Sequence, residues 1–392
     1  MRLYFDFARY FANFRGVSTA CFLAVILSAS SVNTLMAGSE DLFYPMRTDW
    51  SESNGKVNLS VYVFNDLDES GEYDLGDRAM SGIATGIRQS GIPFSISRSN
   101  GNGFANFDAS SFDESAIIDA AGSYEFEVFS PPGWYISTGN QVQQREVIAL
   151  PGSLAGLILS APLEPVGLVR YKFVRGTYSL PSAGFLKLEK NGAVVAQAEL
   201  APGEEFLWPV EPGQYELVSE AGSRPVHVGQ YPVDIGKVTA FPPSTAFGNI
   251  VHFEDMAAGG LEKAPSGYGG LNWFNLNIME NNYMPDSVGT VNGATSGINI
   301  VYTSSGHPAS IYSDSPFDFI GVNLTLAWPR SEGEMLEFRF FQGDNLALTD
   351  SIGLSAYGPI TYQPLLSGIT RIELSTPHYW QAVLDDLIVI TP

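Results

Sequence analysis

The chain is 392 residues long and sets 42 Asp and Glu against 20 Lys and Arg, a formal net charge of −22 at pH 7. Phosphate recognition needs a basic footprint, so this balance argues against a nucleic-acid partner, and a single Cys excludes a disulfide framework. With 40 glycines, 12% aromatic and 16% charged residues, the composition is that of a turn-rich, all-β chain of roughly two to four domains.

Met1 to Ala37 is expected to be a signal peptide. Arg2, Arg9 and Arg15 form a positive leading segment, Ala20 to Ala29 an apolar core, and Leu35-Met36-Ala37 before Gly38 a small-residue cleavage site. The apolar run is too short to span a bilayer. Cys21 does not follow it as a lipoprotein attachment site would, and cleavage would leave a mature chain without cysteine. No second apolar run of spanning length follows, and the sequence closes on Thr391-Pro392 without a sorting tail. The expected destination is the cell surface or extracellular space, with the periplasm as the alternative.

Val57, Leu59, Val61 and Val63 alternate with polar residues and Tyr62, which is strand periodicity. Directly after them, Asp66 to Asp77 reads Asp-Leu-Asp-Glu-Ser-Gly-Glu-Tyr-Asp-Leu-Gly-Asp. Oxygen-bearing side chains fall at positions 1, 3, 5, 9 and 12 of that stretch: Asp66, Asp68, Ser70, Asp74 and Asp77. Glu72 supplies a backbone carbonyl at position 7, and Gly71 takes the sharp turn at position 6. This is the spacing of an EF-hand-type calcium loop. Carboxylates crowded in this way repel one another unless a cation sits between them. Asp77 stands where an EF-hand has Glu, and the flanks read as strands instead of helices. An acidic surface turn is the alternative, because Asp, Ser and Gly are turn formers.

Val57 to Ile87 resembles the B-type repeats of serine-aspartate-repeat bacterial adhesins, on the run Val61-Tyr62-Val63-Phe64-Asn65-Asp66 through Asp77 and then Ser81-Gly82-Ile83. The resemblance implies a prealbumin-like β-sandwich stiffened by calcium and without catalysis. The sandwich is expected to continue through Gly101-Asn102-Gly103-Phe104, Gly122 to Val128 and Pro131-Pro132-Gly133-Trp134-Tyr135 to about Ser160. Glu127, Pro131 and Gly133 also match collagen-adhesin B-type domains, whose glutamate promotes a Lys–Asn isopeptide bond. The strand around Phe64 holds no lysine, so that bond is rejected.

Pro162 to Pro165 reads as a linker. Beyond it, Phe206 to Tyr215 echoes Phe126 to Tyr135 in its Phe, Pro-Gly and Tyr, and resembles a second prealbumin-like sandwich without the acidic loop. Phe241-Pro242-Pro243-Ser244-Thr245 forms another linker. The last module differs. Val251-His252-Phe253-Glu254-Asp255, Tyr268 to Asn275, Ser296 to Asn299, Phe317 to Gly321, Leu324 to Trp328 and Leu384 to Leu387 resemble secreted jelly-roll modules of exosortase-sorted bacterial proteins, related in architecture to carbohydrate-binding modules. The expected organisation is three tandem β-sandwiches, two prealbumin or Ig-like and one jelly roll: 1–37 signal peptide, 38–162 calcium-loop sandwich, 163–245 second sandwich, 246–392 jelly roll.

Pairing of first and last strands in a jelly roll brings Glu254 and Asp255 toward Asp385 and Asp386. The four would hold a second calcium or raise one another's pKa, unless they are ordinary strand-end charges. Strand alternation places Asp385 and Asp386 on opposite faces. His227, His252, His307 and His378 have no zinc-type spacing, and no Gly-x-Ser-x-Gly elbow is present. Trp273 and Trp328 are expected in the core. Tyr268, Tyr283, Tyr379 and Trp380 sit beside Gly, Pro or Asn and are expected on loops, where aromatic rings can stack on sugars. The sequence thus reads as an exported, non-catalytic stalk presenting a module for glycan or matrix adhesion. A self-associating matrix or surface-layer component is the alternative, and a polysaccharide-processing enzyme a more remote one.

Overall fold

A computed structural model describes residues 60–107, 121–149, 157–239, 248–256, 260–284, 287–304 and 308–391. The signal segment 1–37, the start of the first strand at Val57, the linker 241–245 and the module boundary at 245/246 lie outside the described residues. The described chain is almost wholly β, and none of its helices is long and apolar enough to cross a membrane.

In the first sandwich one sheet runs Ile92–Arg98, Ala84–Gln89, Gly122–Val128, Val142–Ala149, Leu157–Leu159. The other is built on Ser60–Asn65, whose Val61 and Val63 enter the core beside Ile87, Tyr124, Phe126 and Val147. Its opposite face is covered too: Tyr62 and Phe64 pack with Phe104. Burial on both faces explains why the strict alternation ends at this strand.

Ser60–Asn65 also pairs in parallel with Val166–Arg170, Val63 opposite Val166. The boundary expected at 162/163 therefore moves past Arg170, since Leu163, Val166 and Leu168 belong to the first core. Nor is Pro162–Pro165 a free linker. Gln143 accepts from Glu164 N at 2.8 Å and donates to its carbonyl at 2.9 Å, while Asn140 donates to the Pro165 carbonyl at 2.9 Å. A side-chain amide here satisfies backbone groups that no strand partner reaches.

The second sandwich repeats the first. Phe173–Tyr178 pairs antiparallel with Glu205–Pro209 and parallel with Val233–Val238, as Ser60–Asn65 does with Phe104–Asn106 and Val166–Arg170. Its other sheet runs Ala193–Leu200, Gly184–Lys190, Gly213–Ser219, Gly222–Val228. This topology corrects the internal echo. Gly213-Gln214-Tyr215-Glu216 is the counterpart of Gly122-Ser123-Tyr124-Glu125, each tyrosine buried in its core. The Phe126–Tyr135 match paired unlike strands through a shared turn composition.

The third sandwich is threaded by one long strand, Ala309–Leu326. Its first half pairs with Asn272–Phe274 and Leu366–Ser375, its second with Ala382–Ile390 and Ile360–Tyr362. Strand Asn249–Val251 lies against the last strand, Val251 opposite Leu387. The three modules are fused. Val233–Val238 pairs in parallel with Ile360–Tyr362, so one sheet continues from the second sandwich into the third. Arg175 binds Asp234 at 2.7 Å and the Gly353 carbonyl at 2.8 Å, and buried Arg224 donates to the carbonyls of Gln363 and Pro364. Burial in this joint lowers the Arg224 pKa to about 10. Between first and third modules, Asn292 accepts from Ser81 N at 2.9 Å and donates to Ser81 O at 3.1 Å.

Candidate functional site

The Asp66–Asp77 loop leaves the end of the first strand, so its first carboxylate is fixed by the core. Asp66 is 1% exposed. Its Oδ1 accepts from Ser70 N at 3.0 Å and its Oδ2 from Gly71 N at 2.9 Å. Asp77 closes the loop, accepting from Leu67 N at 2.9 Å and Asp74 N at 3.1 Å. One oxygen each from Asp66, Asp68 and Asp77 lies within 4.8 Å of the others. Calcium–oxygen distances of about 2.3–2.6 Å place ligands across the ion at about that separation, so the donor set fits a hard cation. Asp74 is not in that trio, and its Oδ2 meets Ser70 Oγ at 3.5 Å.

Burial, with the charges of Asp66 and Asp74 adding to it, pushes the Asp77 carboxyl up to about 6, against hydrogen bonds from Leu67 and Asp74 that lower it. Asp68 is pulled below the usual carboxylate range by hydrogen bonds from Ser70. Two anchors hold the loop that sequence reasoning did not identify. The Tyr73 ring packs edge-on against Tyr62 and Phe64, with centroids 4.9 and 5.1 Å away. Glu69, at φ 63°, forms an ion pair with Lys172 and accepts from Tyr135 Oη at 3.3 Å. Tyr73 was legible as the one aromatic residue in an acidic loop; Glu69 was not, because its partners lie far along the chain.

The four C-terminal carboxylates do not form a second such site. Among the described residues the trio of the first module is the only group of three or more His, Cys, Asp or Glu placed to share a metal ion. Glu254 instead caps the backbone N–H groups of Ile298 and Asn299, and Asp255 accepts from the Tyr268 hydroxyl. Asp385 is fully buried, and its Oδ2 accepts from Thr295 N at 2.6 Å and Ser296 N at 3.0 Å.

Asp386 breaks the expected alternation. Its φ of 48° sits where the pairing with Ala309–Leu326 slips register, a bulge that turns both aspartates to the same 295–296 turn. Thr295 Oγ1 lies 3.0 Å from Asp385 Oδ2 and 2.5 Å from Asp386 Oδ2. The Thr295 hydroxyl thus bridges the two carboxylates. Burial, then the Asp386 charge, push Asp385 up to about 7. His252 Nδ1 lies 2.9 Å from Asp386 Oδ1. These carboxylates tie the turn to the last strand.

The four predicted loop aromatics are not gathered at one end. Tyr379, 64% exposed at φ 61°, and half-buried Trp380 precede the start of the last strand, where Ala382 N meets Thr303 Oγ1. Tyr268 lies at that strand's other end, in a turn whose Gly270 packs by Thr391, and it is half-buried against Phe253 and Trp273. Tyr283 is exposed in the turn after Glu280. Trp273 is in the core as expected, whereas Trp328 is only partly buried, its Nε1 donating to Gln381 at 2.7 Å. Phe274, one of the aromatic residues that the sequence offers for sugar stacking, is exposed on a strand, and so is Tyr312, which sequence reasoning missed. A two-residue alternation separates Trp273 from Phe274, but which of the two faces out depends on where the second sheet packs.

No protein-family model and no curated protein sequence matches the chain. Among solved structures, shaft pilin spaA from Lactobacillus rhamnosus GG is similar over 47% of this chain and 99% of its own, at 12% identity and TM-score 0.23. The CBM22-1 xylan-binding domain of Paenibacillus barcinonensis Xyn10C is similar over 37% and 96%, at 11% identity and TM-score 0.23. The K1 cleaved adhesin domain of Lys-gingipain from Porphyromonas gingivalis W83 is similar over 38% and 99%, at 11% identity and TM-score 0.23. These likenesses are to β-sandwich parts of this chain, and at such scores they carry no argument about activity.

Proposed function

We propose that this chain is an exported, non-catalytic recognition protein of the cell surface or extracellular space. Its first module is braced by one calcium ion, and its third binds glycan. The observation that carries the reading is the convergence of Asp66, Asp68 and Asp77 on one cation-sized space at the end of a core strand. Ser70, Asp74 and the Glu72 carbonyl are the remaining protein ligands, and calcium's usual six to eight oxygens leave room for water. The ion supplies charge and rigidity to a loop that Tyr73 and Glu69 already pin to the sandwich. Recognition is supported by the third module's large exposed rings, Phe274 at 62% and Tyr379 at 64%.

One observation favours a second reading, a self-associating structural component. Edge strand Ala193–Leu200 leaves Val194 and Val195 half exposed, and an apolar edge can pair with another chain. Affinity electrophoresis of the full chain through soluble polysaccharides, with calcium and with chelator, separates the two. Retardation by a polysaccharide supports recognition. Concentration-dependent growth in mass without retardation by any polysaccharide supports the structural reading instead.

A further inference from the structure

We propose that the glycan lies on the outward face formed by strands Asn272–Phe274, Ala309–Leu326, Leu366–Ser375 and Met335–Gln342 of the third module, and that it is a neutral polysaccharide. The proposal rests on the recognition reading above and adds to it the site and the class of ligand.

Register fixes which side chains share this face. Phe274 lies opposite Ser310, and Asn272 opposite Tyr312, so Phe274 and Tyr312 are diagonal neighbours on one face, a residue spacing of about 7–8 Å on a pleated sheet. Tyr312 is in register with Arg371, and Arg371 with Phe341. On the adjacent row Glu373 is in register with Arg339. The intervening residues Trp273, Ile311, Ile372 and Phe340 point into the core, so these rows point away from it.

The polar groups on the face are held in place. Arg371 lies 4.1 Å above the Phe341 ring and Arg339 5.4 Å from the same centroid. Glu373 ties them together, 3.2 Å from Arg371 Nε and 3.1 Å from Arg339 Nη1. The two rings beside this lattice stay open, Phe274 at 62% and Tyr312 at 40%. Flat apolar faces next to fixed donors and acceptors are what a pyranose ring requires. Its C–H face stacks on the aromatic ring while its hydroxyls reach the guanidinium and carboxylate edges. Little side-chain freedom is lost on binding, because stacking and ion pairing have already fixed the arginines.

Charge selects the ligand. Arg339 and Arg371 are balanced by Glu373 and by Glu337 on the same face, and Asp314 is exposed two residues from Tyr312, so the patch has no net positive charge in a chain of net charge −22. An anionic polymer gains nothing from the patch and is repelled by the rest of the surface. A neutral chain meets neither effect, and its binding is insensitive to salt.

The test is affinity electrophoresis of the full chain through a neutral glucan, mannan and xylan and through a polyuronate, comparing wild type with Phe274→Ala, Tyr312→Ala and the double variant. One or more neutral polymers should retard wild type, with retardation unchanged at about 0.5 M salt. Each single substitution should weaken binding roughly 2- to 12-fold and the double variant should abolish it. Both side chains are substantially exposed, so the melting temperature should stay the same. Equal retardation of wild type and double variant overturns the proposed face while leaving recognition intact, and loss on Tyr379→Ala in that case moves the site to the loops. Retardation by the polyuronate alone overturns the ligand class. No retardation of wild type by any polymer overturns the recognition reading, and the face with it.

Discussion

The Asp66 carboxylate accepts the backbone N–H of Gly71 at 2.9 Å, so the first acid of the loop is oriented by the loop's own turn. That turn requires φ 78° at Gly71, where a Cβ would meet the Ser137 carbonyl only at ordinary contact distance, 3.4 Å. Gly71→Ala should therefore cost about 1–2 kcal/mol in the metal-free protein, from left-handed strain alone. It should also weaken calcium binding, because Asp66 loses its donor geometry. Chemical denaturation in chelator and calcium titration of the same variant read the two effects. An unchanged denaturation midpoint would show that the loop does not hold this turn.

Fusion of the modules predicts coupled unfolding. Asn292 is bonded at both its amide oxygen and nitrogen to Ser81 of the first module. Asn292→Ala removes both hydrogen bonds to Ser81, each worth about 0.5–1.5 kcal/mol net, with a longer one to the Ala356 carbonyl. Calorimetry should show a lower melting temperature for the first module, or its transition separating from the rest. A thermogram superposable on wild type would mean that the modules unfold independently.

Asp385 makes stability fall with rising pH. Its folded pKa is pushed up to about 7 from the ordinary 3.8, so between those values the unfolded chain gives up a proton that the folded chain keeps. The stability present below pH 3.8 is lost as pH rises toward 7, by at most on the order of 4 kcal/mol. Asp385→Asn removes this titration. From about pH 4 to pH 7, urea-denaturation free energies of wild type should decline relative to the variant. Parallel curves would show that Asp385 is ionised throughout in the folded state.

The strands and the acidic loop were legible because their signals are local. Period-two patterning around Tyr124 and the Asp, Ser and Gly spacing of 66–77 need no knowledge of distant residues. What escaped the sequence was set at long range. Val166 follows two prolines, yet it completes the first core because Val63 offers it a parallel edge. Asp386 occupies the left-handed region only because the last strand bulges against Ala309–Leu326, and this bulge moved a predicted metal ligand into a hydrogen-bond network. Tyr312 carries no loop signal at all. It is exposed because its strand forms the outer face of a sheet whose other side is packed.

Direct titration is the closest test of the calcium site proposed at Asp66–Asp77. Calcium added to the chelator-treated full chain in a calorimeter should give saturable binding to one site in the first module. At a hundredfold excess over Kd the same ion should stabilise the folded state by about 2.7 kcal/mol. The Asp66→Ala, Asp68→Ala double variant should show neither heat nor stabilisation. Wild type that binds no calcium, or a double variant that binds it as wild type does, would rule out a calcium site in this loop.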